Sequence, residues 1–282
     1  MRQLLCGLSA VGLARASVDE RAPANDLAAI AAINAAGMSW RAGASEFFRG
    51  KTVGDARRLL GLSIRPGGGT ALPVGRHTIA GLDSWEPPES FDAREAWSSC
   101  PTIGTIRNQG SCGSCWAFAA TEALEDRFCV AGDTSIQGSC TSSTSAAAGV
   151  AEGCLSPQFL IDCNTASHRS PADGGCGGGF LDNVWEFLQA QGVPIESCDP
   201  YRECAYPPFA NCSAPSGAPR PPAPPPATKD TCPMDAGKCA DGTPIKTFKA
   251  ASAYAVGTPG DVKAIQKEIM THGPVEVCRR TL

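Results

Sequence analysis

Fifteen cysteines in a chain of 282 residues constrain the fold more than any other feature of this sequence. So many thiols are rare in proteins of a reducing compartment, and they favour a disulfide framework formed during secretion. Because the number is odd, at least one cysteine stays unpaired within the chain. The sequence therefore predicts an oxidised protein with several disulfides and a free thiol.

The N-terminus agrees with export. Arg2 precedes an apolar run from Leu4 to Leu13, and Ala14-Arg15-Ala16 places small residues where signal peptidase reads them. We expect residues 1–16 to be a signal peptide, and the alternative is a helix retained in the fold. No apolar run approaches the ~20 residues that span a bilayer. We therefore expect the secretory pathway, with a lysosomal, vacuolar or extracellular destination.

Charge and length narrow the class of protein further. The net charge is only -4, and no run of Lys or Arg indicates a nucleic acid or an anionic membrane as a partner. The length allows one or two domains with cores of their own. Binding to nucleic acid is therefore not expected.

The segment from Asn108 to Phe118 carries the clearest chemical pattern. It reads Asn-Gln-Gly-Ser-Cys-Gly-Ser-Cys-Trp-Ala-Phe and places Cys115 where small residues give way to an apolar, helix-compatible stretch. A helix N-terminus stabilises a thiolate, the nucleophilic form of cysteine, through its partial positive charge and free N–H groups. Gln109 offers a side-chain donor for a developing oxyanion, beside a backbone N–H. We therefore expect a nucleophilic thiol of lowered pKa at Cys115.

Cys112 and Cys115 also form a C-x-x-C pair, which in other proteins is a redox centre or half of a metal site. No second C-x-x-C and no pair of histidines follows at zinc-ligand spacing. No strand precedes the motif as it does in thioredoxin-like proteins. We expect neither a metal nor a cofactor.

At these residues the chain resembles the papain family of cysteine proteases, whose motif joins a Gln to Cys-Gly-Ser-Cys-Trp and uses the second cysteine as nucleophile. The resemblance implies an α+β, papain-like fold, with the helical half present and the β-rich half largely missing. It implies Cys115 as the nucleophile, Gln109 as the oxyanion donor, and protein or peptide substrates. The substrate-binding residues that it implies are Gly113, Trp116, Gly178 and Gly179.

The glycine pair has a physical rationale, because a side chain at Gly178 or Gly179 would hold an extended substrate away from the backbone. The alternative for these glycines is a merely flexible loop.

The flanking segments resemble the cathepsin B-like members of that family. Residues 17–86, with Trp40-Arg41-Ala42-Gly43, resemble their pro-segment, which lies through the active-site cleft as an inhibitor before activation. Residues 88–97 resemble the start of the mature chain. The implied domains are a signal peptide (1–16), a pro-segment with its linker (17–86) and a partial peptidase domain (87–282). The alternative for residues 17–86 is a small helical cap.

The cathepsin B pattern also implies disulfide pairs, to which we add one that closes an insertion rich in Ser, Ala and Gly. Cys6 leaves with the signal peptide, and Cys278 stays unexplained. The expected pairs are Cys100–Cys129, Cys112–Cys176, Cys163–Cys232, Cys198–Cys239, Cys204–Cys212 and Cys140–Cys154.

Residues 198–239 match in position the occluding loop that marks cathepsin B, where two adjacent histidines bind the C-terminal carboxylate of the substrate. This chain has no histidine in that segment and carries Ala205-Tyr206-Pro207-Pro208 there. We therefore expect endopeptidase chemistry and not removal of dipeptides.

The catalytic base is the expected gap, since a thiol nucleophile works with an imidazole. His77 lies in the linker, His168 in a polar loop and His272 at an exposed helix end, and none matches the family's catalytic position. The resemblance places that histidine and its asparagine partner after residue 282, and residues 277–282 no longer resemble the family. We expect this polypeptide to be incomplete or inactive by itself. The alternatives are a non-catalytic fragment that binds peptides or inhibitors, and a disulfide-rich secreted structural protein.

Periodicity, capping residues and glycines predict the remaining elements. Asp26, Ser114 and Ser156 should cap the helices that they precede, and the helix from Cys115 should be largely buried. The last helix should bury Val262, Ile265 and Ile269 and end at Gly273. The predicted helices are Asp26–Ala36, Asp55–Leu60, Cys115–Phe128, Ser156–Cys163, Phe180–Gln191 and Asp261–His272, with a loose linker over Arg65–Pro88 and a strand beginning at Pro274.

Overall fold

The computed structural model describes residues 19–57, 59–63, 70–110, 112–133, 135–136, 154–167, 175–201, 232–258 and 260–277. The chain divides into two compact units, with the boundary after Arg57. Most of the predicted occluding loop, His168, the signal peptide and Cys278 lie outside the described residues.

Short helices dominate both units. The first unit contains α1 (Leu27–Ala35) and α2 (Val53–Arg57). The second unit contains β1 (Leu62–Ser63), α3 (Arg76–Ile79), α4 (Ala93–Ala96), α5 (Cys115–Val130), α6 (Pro157–Cys163), β2 (Gly179–Phe180), α7 (Leu181–Ala190), α8 (Pro233–Ala236) and α9 (Val262–His272). Short 3₁₀ helices lie at Glu46–Phe48, Leu82–Ser84, Pro101–Gly104 and Thr165–Ser167.

The first unit is held by polar side chains, since none of its described residues is buried. Asp26 caps α1 as predicted, and its Oδ1 accepts from the N–H groups of Ala28 and Ala29 at 2.9 and 3.0 Å. The helix predicted at 55–60 is displaced. It begins at Val53 because Thr52 and Asp55 cap it reciprocally, with Thr52 N–H to Asp55 Oδ2 at 3.0 Å and Asp55 N–H to Thr52 Oγ1 at 3.2 Å.

The core of the second unit surrounds α5. As predicted, this helix is largely buried, and it packs against α6 and α7. Burying these large apolar side chains stabilises the fold by roughly 1.5–3 kcal/mol each. The fully enclosed side chains include Trp116, Phe159, Leu160, Ile161, Val184 and Leu188.

Two serines precede these helices with different roles. Ser156 Oγ accepts from the Phe159 N–H at 3.0 Å, so the predicted cap of α6 is confirmed, with Pro157 at the first helical position. Ser114 occupies the N-cap position of α5 but makes no side-chain cap. Its hydroxyl instead lies 2.7 Å from the Tyr201 hydroxyl.

The predicted loose linker is partly ordered, which corrects the prediction for residues 65–88. Gly75 N–H donates to the Ala255 carbonyl at 3.0 Å, and Ala255 N–H donates to the Pro73 carbonyl at 2.9 Å. Thr78, on α3, is only 2% exposed and accepts from the Gly257 N–H at 3.2 Å. These partners lie far away in sequence, so local composition does not reveal them.

Helix α9 begins after Asp261, whose Oδ1 accepts from the Ala264 N–H at 3.0 Å, and it ends before Gly273 as predicted. Its buried face differs in part from the predicted one. Val262 is 63% exposed and Ile265 and Ile269 are half-buried, while the buried residues are Ala264 and Glu268. The Glu268 carboxylate turns inward because Arg127 and Tyr254 bind it.

The strand predicted from Pro274 is also wrong for the described residues up to Val277, which have no ladder partner. The Pro274 carbonyl accepts instead from Nε of Arg127 at 2.8 Å.

Four disulfides join described cysteines, and they are the pairs that the resemblance implied. The expected pairs Cys140–Cys154 and Cys204–Cys212 involve Cys140, Cys204 and Cys212, which lie outside the described residues. The observed bridges are Cys100–Cys129, Cys112–Cys176, Cys163–Cys232 and Cys198–Cys239.

The described helices include none that is both long enough and apolar enough to cross a membrane.

Candidate active site

Cys115 is the first residue of α5, and its thiol is free and partly exposed. Cys112 is bonded to Cys176, and the Gly113 N–H donates to the Cys176 carbonyl at 2.9 Å. The two cysteines of the C-x-x-C pair therefore have separate roles. This excludes the redox-pair interpretation, which needs both thiols to face each other.

Gln109 is fixed beside the thiol loop. Its Nε2 donates to the Cys112 carbonyl at 2.8 Å and to the Leu59 carbonyl at 2.9 Å. The side-chain amide thus presents a donor to a carbonyl oxygen that comes from elsewhere in the chain, which is the function expected of an oxyanion donor.

Residues 59–63 occupy the groove between Cys115 and the glycine loop. The Gly61 carbonyl accepts from the Gly179 N–H at 2.8 Å, and β1 pairs in parallel with β2, with Leu62 opposite Gly179. The Gly61 backbone amide also lies close enough to the Cys115 sulfur to favour its thiolate form. One short segment therefore contacts the thiol, Gln109 and Gly179 together.

This close approach depends on glycine. A Cβ built on Gly61 would lie 1.7 Å from the Gly113 carbonyl oxygen, and one on Gly178 would lie 2.9 Å from the Gly61 oxygen. Gly178 also has φ of +113°, a region that favours glycine. The backbone segments touch because no side chain stands between them.

Trp116 supports the groove from behind. It is fully buried, its Nε1 donates to the Gly175 carbonyl at 3.0 Å, and a Cβ on Gly179 would lie 2.5 Å from its ring. Trp116, expected among the substrate-binding residues, therefore holds the glycine loop in place without facing the groove itself.

The expected low pKa of the thiol is not found. Burial raises the pKa of Cys115 above its ordinary value, and hydrogen bonds from the N–H groups of Gly61 and Trp116 offset this only in part. Burial of the thiol thus outweighs the backbone N–H groups that favour the thiolate.

Glu276 is a site residue that the sequence analysis did not single out. Burial raises the pKa of its carboxyl group to about 8, although Trp185 Nε1 donates to its Oε2 at 2.6 Å. Its negative charge in turn raises the pKa of the Cys115 thiol. The Gly-Pro-Val-Glu motif marks the position, but only the fold brings it near the thiol.

The described histidines do not meet the thiol. His272 Nδ1 lies 3.3 Å from Glu268 Oε2, and the rings of His77 and His272 lie edge-to-face with centroids 5.5 Å apart. His272 is thus half exposed, as predicted for a helix end, but it belongs to a cluster and is not simply solvated. His168 lies outside the described residues.

Comparisons with known proteins agree with this geometry. The sequence profile of the family described as papain family cysteine protease matches residues 87–281. Cathepsin B-like cysteine proteinase 6 of Caenorhabditis elegans is 36% identical over 207 residues, which cover 67% of this chain and 46% of that protein. Cathepsin B-like CP2 of Giardia intestinalis is 31% identical over 258 residues, which cover 91% of this chain and 69% of that protein.

Among solved structures, proCathepsin B S9 from Trypanosoma congolense aligns with a TM-score of 0.60 at 24% identity, over 89% of this chain and 70% of that one. The predicted α+β, papain-like fold is confirmed. The profile match continues through residue 281, so the expected loss of resemblance from residue 277 is wrong. The chain spans about half the length of several curated relatives, including the Caenorhabditis elegans protein.

Proposed function

Because this chain belongs to the papain family of cysteine proteases and its curated relatives are cathepsin B-like, we propose that it is the zymogen form of a cysteine endopeptidase whose nucleophile is Cys115. The observation that carries the proposal is the position of residues 59–63. Their backbone contacts the Cys115 thiol, the Gln109 side-chain amide and the Gly179 N–H.

The chemistry follows from these groups. The Cys115 sulfur attacks the carbonyl carbon of the scissile peptide and forms a tetrahedral intermediate, whose oxyanion accepts from Gln109 Nε2 and the Cys115 N–H. Collapse of the intermediate breaks the C–N bond, releases the amine with the proton that the thiol has lost, and leaves a thioester on Cys115. Water then hydrolyses the thioester to the acid and restores the thiol.

The glycine loop, which contains Gly178 and Gly179, is suited to an extended substrate. The Gly179 N–H already pairs with a backbone carbonyl of residues 59–63, so a substrate strand has a ready partner there once that segment leaves. Gly178 leaves room for such a strand, since a Cβ on it would lie 2.9 Å from the Gly61 carbonyl oxygen. The substrates are therefore extended protein or peptide chains.

Residues 17–86 act in this proposal as the chain's own inhibitor. Residues 59–63 fill the cleft, and their removal frees the oxyanion donor and lowers the desolvation of the thiol. The lack of histidine between residues 198 and 239 favours endopeptidase over dipeptide-removing activity. The setting is the secretory pathway, in a lysosome, vacuole or extracellular space.

The polypeptide of residues 1–282 lacks an imidazole at its thiol in the described part, since His77 and His272 gather at Glu268. We therefore expect Cys115 to react with an electrophile but not to turn over a substrate. A thiol without a general base forms little thiolate and protonates its leaving amine poorly.

The test is to treat residues 1–282, and Cys115→Ser as control, with an epoxide thiol probe and with a fluorogenic dipeptidyl substrate. We expect labelling mapped to Cys115 by peptide mass spectrometry, none in the variant, and no steady release of fluorophore. Steady thiol-dependent turnover would refute the inactivity of the polypeptide. Absence of labelling after proteolytic removal of residues 17–86 would refute the nucleophile.

A second candidate is a non-catalytic protein that binds peptides or inhibitors in the same groove. It is favoured by the same lack of a described imidazole at Cys115. Equal peptide affinity in the Cys115→Ser protein, with no probe labelling of the unsubstituted protein, would support it.

A further inference from the structure

Three potential metal ligands converge where α3 packs against α9. His77 on α3 faces Glu268 and His272 on α9. Glu268 Oε2 lies 3.3 Å from His272 Nδ1 and 3.8 Å from His77 Nε2, and all three ligand atoms lie within 4.8 Å of one another. The C-x-x-C and histidine spacing gives no hint of this cluster, because its members come from distant parts of the chain.

The carboxylate at the centre is held in one orientation. Glu268 is 2% exposed, and its Oε1 accepts from Tyr254 Oη at 2.6 Å and from Arg127 Nη2 at 3.0 Å. Arg127 Nη1 also donates to the Tyr254 hydroxyl at 3.1 Å. These bonds occupy Oε1 and leave Oε2 directed at the two imidazoles. Outer partners of this kind fix a ligating carboxylate and its geometry.

The two imidazoles are placed to accept an ion from solvent. The side chains of His77 and His272 are 49% and 47% exposed, while Glu268 forms the floor. The His77 ring also packs edge-to-face on Tyr254, with centroids 4.6 Å apart, which restrains it beside the carboxylate. The cluster is thus open on one side and rigid on the other.

We propose that His77, Glu268 and His272 form a binding site for a divalent transition-metal ion of the zinc class. Two imidazole nitrogens and one carboxylate oxygen are a ligand set that Zn²⁺ takes, with water at the fourth position. Zn–N and Zn–O bonds of about 2.0–2.1 Å place tetrahedral ligand atoms about 3.3 Å apart. Glu268 and His272 already have that spacing, and small rotations of the half-exposed imidazoles supply the rest.

The charge balance predicts a site of moderate affinity. Arg127 shares the charge of Glu268 from the side opposite the ion, and the two imidazoles bind as neutral ligands. A site with one carboxylate, already paired with an arginine, binds zinc more weakly than sites made of thiolates. Metal binding is therefore expected to be reversible with a chelator.

The position of the ligands gives the ion a consequence, which rests on the proposed function. His77 belongs to residues 17–86, the proposed inhibitory segment, and the other two ligands belong to the peptidase domain. The same segment is held on α9 by Lys267 Nζ to the Ala80 carbonyl at 2.5 Å and by Lys263 Nζ to Glu86 Oε1 at 2.9 Å. A bound ion links the proposed inhibitory segment to α9 and slows dissociation of that segment from the peptidase domain.

The binding test uses the full chain with Cys115→Ser, so that the active-site thiol neither binds metal nor cleaves the protein. Co²⁺ is titrated as a spectroscopic probe, and Zn²⁺ is then added to displace it. We expect visible d–d absorption bands that Zn²⁺ abolishes. His77→Gln and His272→Gln should each weaken Co²⁺ binding by at least about tenfold, while the adjacent, exposed Arg76→Gln should not. Melting without metal checks that each variant folds.

The proposed site would be overturned if the d–d bands were absent. It would also be overturned if both histidine variants bound Co²⁺ as tightly as the Cys115→Ser protein without them. A second measurement tests whether the ion holds residues 70–86 on α9. It is limited proteolysis within residues 70–86, with and without Zn²⁺. Zinc should slow this cleavage in the protein that retains His77 and should leave the cleavage rate of His77→Gln unchanged. If zinc binds but does not slow the cleavage, the ion does not hold the segment. Neither measurement depends on Cys115, so failure of the peptidase proposal is detected separately.

Discussion

At the scale of single residues, Gly61 decides how closely one backbone passes over the thiol. A Cβ there would meet the Gly113 carbonyl oxygen at 1.7 Å, and backbone cannot give way by that much. The contacts of residues 59–63 with Gln109, Cys115 and Gly179 therefore all depend on the absence of one methyl group.

We expect Gly61→Ala to unseat residues 59–63 from the groove. Overpacking of this kind costs roughly 1–3 kcal/mol, and loss of the cover removes part of the desolvation of the Cys115 thiol. Alkylation of Cys115 by iodoacetamide at neutral pH should then become about tenfold faster or more, followed by peptide mass spectrometry.

Gly104→Ala is the matched control, because a Cβ there meets nothing within 4 Å and its backbone does not need a positive φ. Its alkylation rate should equal that of the unsubstituted protein. If Gly61→Ala also leaves the rate unchanged, the segment does not shield the thiol.

Prediction at the residue scale rests on chemistry that is local in sequence. Cys115 and Gln109 belong to one motif of eleven residues, and the structure places both beside residues 59–63. The pKa of Cys115 could not be predicted, because a helix N-terminus is visible in sequence whereas burial under residues 59–63 and the charge of Glu276 are tertiary effects.

At the scale of elements, capping residues predicted where helices begin, because the cap and the N–H groups it binds are neighbours in sequence. Asp26, Ser156 and Asp261 all bind the first turn of the helices they precede. Faces and strands were less predictable. On α9, Val262 is exposed while Glu268, bound to Arg127, is buried, so apolar periodicity alone does not identify the buried positions.

Ser156→Ala tests the cap of α6. The variant loses the bond to the Phe159 N–H and also the bond that Ser156 Oγ donates to the Asp199 carbonyl at 2.6 Å, in a fully buried place. We expect the free energy of unfolding to fall by about 1–3 kcal/mol, measured by urea denaturation.

Ser156→Thr keeps the hydroxyl and serves as the comparison, with an expected loss clearly smaller than that of the alanine variant. A loss as large as that of Ser156→Ala would show that volume, and not the two hydrogen bonds, sets the cost.

At the scale of the whole molecule, contacts between distant segments escaped prediction. The segment from Pro73 to Glu86 looks like linker by its glycines and prolines, yet it docks on residues 254–257 and on α9. The composition of a segment does not record which surface it meets, and the cluster of His77, Glu268 and His272 arises only from that docking.

Stability should depend on pH through two buried or half-buried carboxyl groups of α5. Burial raises the pKa of Glu125 to about 8, although Arg107 and a hydrogen bond from the Leu155 N–H act in the opposite direction, and burial raises that of Glu122 to about 7. Both folded values lie above the ordinary value of 4.5, so the folded state holds more protons between these limits. The contribution of these two groups to the free energy of unfolding is therefore fully present below pH 4.5 and is lost as pH rises towards 8.

Urea denaturation at pH 5 and pH 8 measures this effect. We expect Glu125→Gln to reduce the loss between these pH values by roughly 1–2 kcal/mol, since glutamine stays neutral throughout. Glu186→Gln, at an exposed position of α7, should keep the full dependence. An unchanged dependence in Glu125→Gln would exclude this residue as the source.

The Cys198–Cys239 bridge has a consequence for how a chain of this kind can diversify. It brings the two Cα atoms to 4.3 Å across a sequence separation of 41 residues. The entropic cost of closing a flexible loop rises only with the logarithm of its length, by about 0.6 kcal/mol for each doubling. Residues inserted between positions 201 and 232 therefore add little to this entropic cost. New surface can be acquired there without change to the contacts of Asp199, Tyr201 and Cys232 with the core.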